Sequence, residues 1–511
     1  MAVVNVKIRY LEEKTNLKKD KIKEILDGLG LPCEFSEEDI KIEVTPNRPD
    51  CYLVQGIIRA IENFVGKKNK KYVSKKSDYE LFVKENVKDV RPYIAMCVVK
   101  NVNIDEEELL GLIDAQEKMH ETFGRKRKKI AIGLHNLDVI TFPLIYEAVK
   151  EYKFVPLESQ EEMTIKEILE THPKGVEYKH LVKEGKYPLI YEKNSGKVLS
   201  FPPIINEDRT KLGKNTKNIL IDVTGTHKES VENALNILAC SLVDIGGEIY
   251  QVKIGKEIYP KLEYKKEKID LKKINALVGF EMKKKEVEES LEKMGYFIKN
   301  AIEIPPYRGD IISYIDIIED VLIGYGYEKI EPNIPNFFTV GKYSKRSVLE
   351  REIREILNGI GFLEIVTPVL SKDKKGLEVL NPCNEEYGYI KRDFFESFLK
   401  VLMDNKTGGL PQKIYEIGVC YENKEEQKRV VFSIMDNKVD FNNIRGVVQV
   451  LFEELGRELK INNCILESFE KGRGGEIIEN GGKIGVVGEI SKKVLEEHGI
   501  NFNVVYCEVE I

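Results

Sequence analysis

Four carboxylates crowd one stretch of the chain: Asp310, Asp316, Glu319 and Asp320. The last three are spaced i, i+3 and i+4, which on a helix puts them on one flank. Asp310 falls in the first turn or just before it. Carboxylates that close repel one another unless something positive sits between them. An oxygen-only set suits a hard cation such as magnesium. The same pattern also describes a solvated acidic helix face, favoured near a helix N-terminus. A second constellation is Asp222 and Thr224 in Ile-Leu-Ile-Asp-Val-Thr-Gly-Thr, residues 219–226. His135, near a strand end, is a further candidate, although a lone histidine there is more often structurally satisfied than catalytic. No Ser–His–Asp order, zinc-ligand spacing, phosphate-binding loop or dinucleotide fingerprint is present. Hydrolysis at such a site would rest on a positioned water and hydroxyl or backbone donors, not on a covalent nucleophile.

The elements that position these groups are legible. Pro305 and Pro306 delay any helix until after them. Ile311, Ile315, Ile318 and Leu322 then recur as a buried helical stripe, and Gly324 and Gly326 close it. For the second constellation, a strand over 219–223 is expected, then a turn. Thr226 and Glu229 have the spacing of a capping box that opens a helix bearing Val231, Leu235, Leu238 and Leu242. Asp222 and Thr224 would then lie where a strand ends and a helix begins, with free backbone N–H groups for a ligand. Further along, Ile22, Ile25, Leu26 and Leu29 mark a helix, Ile40 to Val44 a strand, and Tyr52 to Phe64 another helix with Asn47 and Asp50 as opening residues.

Several phrases resemble one family. PPYRGDI…DIIEDVLIGYGY (305–327) is similar to a signature in the beta subunits of phenylalanine–tRNA ligase, as is TPNRPDCYLVQGIIRAI (45–61). GRKRKKIAIGLHNLD (124–138), EMTIKEILETHPKG (162–175), VLSFPPIIN (198–206) and ILIDVTGT (219–226) resemble the archaeal and eukaryotic form. LNPCNEEYGYIKRDF (380–394), KIYEIGVCYE (413–422) and KIGVVGEISKKVLEEHGI (483–500) resemble its last domain. The resemblance implies magnesium on Asp310, Asp316, Glu319 and Asp320. It implies an editing pocket that hydrolyses tyrosine wrongly attached to the phenylalanine tRNA, with Asp222, Thr224 and Ser200 in it. It also implies an alpha-subunit partner that holds ATP, phenylalanine and the acceptor end of the tRNA, in an assembly of two alpha and two beta chains, and no aminoacylation residues in this chain. Two departures stand out. His227 replaces a usual aspartate, which bears on the shape of the pocket. Arg392-Asp-Phe-Phe-Glu-Ser-Phe replaces a usual leucine-proline-glycine stretch, which implies a different local turn. Other readings of the chain are a non-catalytic scaffold or tRNA-binding paralogue and a free-standing editing hydrolase.

The bulk properties agree with such a chain. At 511 residues it is longer than one core usually supports, so several domains are expected. A hydrophobic fraction of 42% with 32% charged residues excludes a disordered chain. A net charge of −6 excludes a protein that coats nucleic acid over its whole surface. Two basic clusters, Lys67, Lys68, Lys70 and Lys71, and Arg125 to Lys129, read as solvated surface. No apolar run reaches 18 residues and no leader is seen, so a cytoplasmic protein without membrane contact is expected. The eight scattered cysteines then read as reduced thiols.

The fold class expected is α+β and multidomain. Residues 1–72 form an N-terminal α/β module and 81–260 an editing domain. Residues 265–336 form a helical, winged-helix-like magnesium module. Residues 340–511 form an inactive, class II synthetase-like domain built on an antiparallel sheet.

Overall fold

The computed structural model describes residues 2–67, 70–422 and 425–511. Lys68 of the first basic cluster lies outside them. The chain forms two compact units, Met1–Ile334 and Pro335–Ile511. The architecture is mixed α+β, with several separate sheets.

The first unit opens with a three-stranded antiparallel sheet, Ala2–Lys7 and Cys33–Phe35 flanking Asp39–Val44. Strict alternation buries Val4, Val6, Ile40, Ile42 and Val44 on one face. Helices Lys19–Gly28 and Val54–Phe64 cover this module, close to the expected bounds. Asp50 does not cap the second helix. It is fully buried, and Arg48 donates to it twice at 2.9 Å, from Nε and Nη2. Burial alone would raise its pKa, but the Arg48 charge and hydrogen bond hold it down at about 2.

A ten-stranded mixed sheet dominates the unit. From one edge it runs Ile205–Asn206, Val198–Phe201, Tyr187–Glu192, Leu144–Val149 and Ser74–Val83. It continues through Glu248–Ile254, Tyr93–Lys100 and Ile219–Gly225 to Ile130–Asn136, and the tenth strand, Glu257–Tyr259, pairs with Glu248–Ile254 off this path. Strand Ser74–Val83 is parallel to both its neighbours, and the other pairings are antiparallel. The helix Lys228–Asp244 packs on strands Tyr93–Lys100 and Ile219–Gly225. Its stripe of Val231, Leu235, Leu238 and Leu242 is buried as expected. Burying each such side chain is worth about 1.5–3 kcal/mol. The two ends of the sheet curl towards each other, because His135 on the last strand contacts Thr210 at 2.8 Å, just past the first.

Residues 265–329 add a small sheet, Lys265–Glu267, Ile302–Ile304 and Phe297–Ile298, to the expected helices. The acidic helix is Tyr314–Tyr325, and its buried apolar positions are Ile317, Ile318 and Val321. The expected stripe was rotated: Ile315 is 58% exposed. Gly326, at φ 102°, is the C-cap. Gly324 serves packing instead, since a Cβ there would lie 2.1 Å from the Ser290 carbonyl oxygen.

The second unit is built on a seven-stranded sheet, Leu363–Glu364, Gln412–Glu422, Glu425–Asp436, Asn503–Glu510, Gly482–Ile490, Phe469–Glu479 and Lys460–Asn463. All but the first pairing are antiparallel. Helices Lys345–Gly359 and Phe441–Glu454 bury Ile353, Leu357, Ile444 and Val448 in its core. At the divergent Arg392–Phe398 segment the chain turns directly into helix Phe395–Asp404. Asp393 accepts from the Phe395 N–H at 3.2 Å, and Phe394 and Phe398 are fully buried.

Candidate functional site

Ser200, Asp222 and Thr224 line one cavity of about 340 Å³ in the first unit. Asp222 and Thr224 sit two apart on the strand Ile219–Gly225, so they project from the same face. Ile221 and Val223 project from the other, where helix Lys228–Asp244 packs. The expectation that they stand at a strand end with free N–H groups is corrected here. The strand is paired along its whole length with Tyr93–Lys100 on one side and Ile130–Asn136 on the other. The site is therefore made of side chains on a sheet face, not of backbone donors. The helix is capped by His227, which accepts from the Ser230 N–H at 3.4 Å, and not by Thr226. His227 is not among the residues lining the cavity, so its departure from the usual aspartate leaves the lining intact.

Asp222 Oδ2 lies 2.8 Å from His135 Nε2, and His135 Nδ1 lies 2.8 Å from Thr210 Oγ1. The Thr210 hydroxyl also lies 3.0 Å from the Glu207 carbonyl, and the carboxylate of Asp222 can only accept. Nε2–H then donates to the carboxylate. His135 is fully buried and orients Asp222 from behind. Gly133, opposite Asp222 in the ladder, makes room for the pair: a Cβ there would lie 2.0 Å from Asp222 Oδ2. Thr224 Oγ1 accepts from Arg91 Nε at 2.8 Å. Burial depresses the Arg91 pKa to about 10. The Ser200 hydroxyl is buried and has no partner among the described residues, although an unpaired buried hydroxyl costs about 1–3 kcal/mol.

The apolar walls include Ile113, Ile132, Leu134, Leu157, Phe201 and Ile204. The sequence reading missed most of the polar lining, Glu117, His120 and Arg127 among it. His120 Nε2 accepts from the Ile132 N–H at 2.8 Å, and burial lowers its pKa, so the ring is neutral. Arg127 belongs to a basic run read as solvated surface, yet it is 7% exposed. It donates to Glu117 at 2.8 Å and to the Ile204 carbonyl at 2.8 Å. The i, i+3 spacing of Glu117 and His120 was the signal available in the sequence.

The four acids of the other constellation do not converge. Arg308 donates to Asp310 from Nε at 2.9 Å and from Nη2 at 2.7 Å, and from Nη2 to Asp320 at 2.7 Å. Tyr296 also donates to Asp320, at 2.6 Å. Asp316 accepts from the Ile312 and Ser313 N–H groups at the start of the helix. Glu319 is exposed. As arranged, the set does not fit a magnesium ion, because a guanidinium already supplies the positive charge between two of the acids. Among the described residues no three His, Cys, Asp or Glu side chains are placed to hold a metal.

The second unit has a cleft of about 520 Å³. Its charged lining is six carboxylates, Asp393, Glu396, Glu422, Glu467, Glu508 and Glu510, against four cations, Lys375, Arg392, Arg429 and Lys483. Arg429 is itself engaged by Glu508 at 2.7 Å. This balance opposes a polyphosphate.

Comparison with known proteins agrees with both units. Residues 267–327 match the family described as the tRNA synthetase B5 domain, and residues 330–511 match the phenylalanyl tRNA synthetase beta chain CLM domain. The phenylalanine–tRNA ligase beta subunit of Methanocaldococcus jannaschii is 38% identical, over all of both chains. That of Archaeoglobus fulgidus is 36% identical, over all of this chain and 98% of its own. A crystallised N-terminal fragment of the beta subunit from Pyrococcus horikoshii is 36% identical with a TM-score of 0.60, and covers 64% of this chain and all of the fragment. On these matches, the chain belongs to the phenylalanine–tRNA ligase beta-subunit family.

Proposed function

We propose that this chain is the editing and scaffolding subunit of a phenylalanine–tRNA ligase. In this reading an alpha subunit attaches phenylalanine to its tRNA with ATP, in an assembly of two alpha and two beta chains. Magnesium enters with ATP at the alpha subunit, and no step runs through Asp310, Asp316, Glu319 or Asp320. The beta chain hydrolyses tyrosine from mischarged phenylalanine tRNA in the cavity of Ser200, Asp222 and Thr224.

The observation that carries this reading is the lining of that cavity. Its apolar walls suit an aromatic side chain, and its polar groups include the Asp222 carboxylate oriented by His135 and a Ser200 hydroxyl with no partner among the described residues. Tyrosine exceeds phenylalanine by one hydroxyl. An apolar pocket rejects that addition by only about a hundredfold, whereas a site that must hydrogen-bond the hydroxyl rejects phenylalanine by about 10⁴-fold or more. Asp222 uses Oδ2 for His135, and Oδ1 meets no donor among the described residues. Oδ1 accepts from the phenol, and the Ser200 hydroxyl orients the water or the ester.

The test is Asp222→Ala, with Asp222→Asn as the variant that keeps the shape. In the complex with a co-expressed alpha chain, phenylalanine charging stays at the parent level. Clearance of tyrosyl-tRNA falls about 10- to 100-fold, the value of one hydrogen bond to a charged group. Clearance at the parent rate in both variants would make Asp222 a structural residue and leave the scaffold reading standing.

A further inference from the structure

The basic run at 125–129 is held in an unusual conformation beside the cavity. Arg125, Lys126 and Arg127 have φ of 49°, 52° and 61°, three consecutive non-glycine residues in the left-handed region. This conformation costs about 1–2 kcal/mol per residue. The Lys128 N–H donates to the Arg125 carbonyl at 3.2 Å, so the segment is one closed left-handed turn. Gly124 sets its start, since a Cβ there would lie 2.6 Å from the His120 carbonyl oxygen.

Two buried arginines pin the turn to opposite sides of the cavity. Arg91 Nη2 donates to the Arg127 carbonyl at 3.2 Å and to the Thr224 carbonyl at 2.8 Å. Arg127 reaches across to the Ile204 carbonyl. The side chains left over, those of Arg125, Lys126 and Lys128, are exposed. None of the three has a carboxylate partner among the described residues. A solvated surface run needs no strained backbone and no buried anchors. Strain persists where the surroundings over-determine it, and it clusters at ligand clamps.

The geometry points to a phosphate seat: the turn Arg125–Lys128 holds the backbone phosphates of the RNA 3′ end whose aminoacyl group occupies the cavity. This rests on the editing reading above and adds the element that holds the nucleic acid. The partner class is single-stranded RNA, because an exposed cationic turn whose Arg127 lines the cavity fits a flexible charged strand and not a duplex face. Arg127 is a structural anchor and takes no part in the contact.

The experiment compares the parent complex with the triple variant Arg125→Gln, Lys126→Gln, Lys128→Gln, and with Arg125→Lys, Lys126→Arg, Lys128→Arg. Two substrates are used: tyrosyl-tRNA, and tyrosine esterified to adenosine, which carries no phosphate. With tyrosyl-tRNA the glutamine variant shows a KM raised about tenfold or more and an unchanged kcat. Its salt slope is smaller by about 2, from three single-strand contacts at about 0.7 each. With the adenosine ester it matches the parent, which also shows that the cavity is folded. The charge-conserving variant keeps the parent KM. A glutamine variant that retains the parent KM and salt slope overturns the phosphate seat. So does one that loses both substrates equally, since the turn is then only structural. If the parent itself hydrolyses neither substrate, the editing reading fails instead.

Discussion

Gly133→Ala probes the cavity without removing any of its functional groups. The strand Ile130–Asn136 tolerates alanine in its backbone, so the effect is steric. The new Cβ would lie 2.0 Å from Asp222 Oδ2, 2.6 Å from His135 Nε2 and 2.9 Å from the Asp222 carboxyl carbon. These atoms are not free ends that can swing away. Asp222 is 2% exposed, His135 is fully buried and bonded at its other nitrogen, and the strand under Asp222 is paired on both sides. Asp222 must therefore leave His135. Separating the two leaves two buried polar groups short of a partner, each costing about 1–3 kcal/mol, so a destabilisation of about 2–6 kcal/mol is expected. Denaturant titration of the full chain reads the stability, and deacylation of tyrosyl-tRNA by the complex reads the site. The variant should lose stability in that range and lose tyrosyl-tRNA clearance while charging phenylalanine normally. Parent-level stability together with parent-level clearance would refute the argument that the Asp222–His135 contact organises the cavity.

Two more substitutions bear on the charged groups. Asp320→Asn removes one carboxylate from the buried Arg308 and should destabilise the chain by about 3–5 kcal/mol, as breaking a buried pair does. Magnesium should leave the parent's unfolding midpoint where it was, and a magnesium-dependent midpoint that Asp320→Asn abolishes would restore the metal reading. Glu117 is held at about 2 against an ordinary 4.5, because its bond to His120 and the Arg127 charge outweigh its burial. A carboxylate depressed in the folded state contributes stability above pH 4.5 that is lost as the pH falls towards 2. Between those values Glu117→Gln should lose less stability than the parent, and parallel losses would detach Glu117 from acid unfolding.

What the sequence disclosed follows how local each feature is. Helix stripes and the strand around Asp222 depend on neighbours a few residues away, and they were found close to their true bounds. The placement of Asp222 in the cavity was expected for an incorrect reason. Its i, i+2 relation to Thr224 put both on one face, but only long-range pairing shows that the strand is central and its N–H groups are occupied. Arg308 stood two residues before Asp310, inside the motif that suggested a metal. Its position between Asp310 and Asp320 depends on the bend at Pro305–Gly309, which spacing along a helix does not describe. The rotated acidic stripe has the same origin: Asp320, paired with Arg308, faces the interior that Ile315 was expected to fill. The missed lining residues belong to a helix and a turn that meet the cavity through packing on the strand Ile130–Asn136, a long-range contact that spacing does not encode.

The placement of the strand Ser74–Val83 has a further consequence. The segment between residues 73 and 260 begins on one side of the strand Glu248–Ile254 and finishes on the other. Ser74 lies beside Ile249 and Tyr259 beside Val252. Three residues along a strand and two strand spacings across put the two points roughly 14 Å apart. Just outside them the Tyr72 N–H donates to the Tyr264 hydroxyl at 2.9 Å. The two chains entering and leaving the lobe thus lie side by side, and buried bonds from Arg59 to Asp244 and from Tyr10 to Glu108 tie the lobe to the N-terminal module as well. A short polar bridge of a few residues would span the two points, but removing the lobe would also leave Arg59 and Tyr10 without their buried partners, so lobe and module must change together.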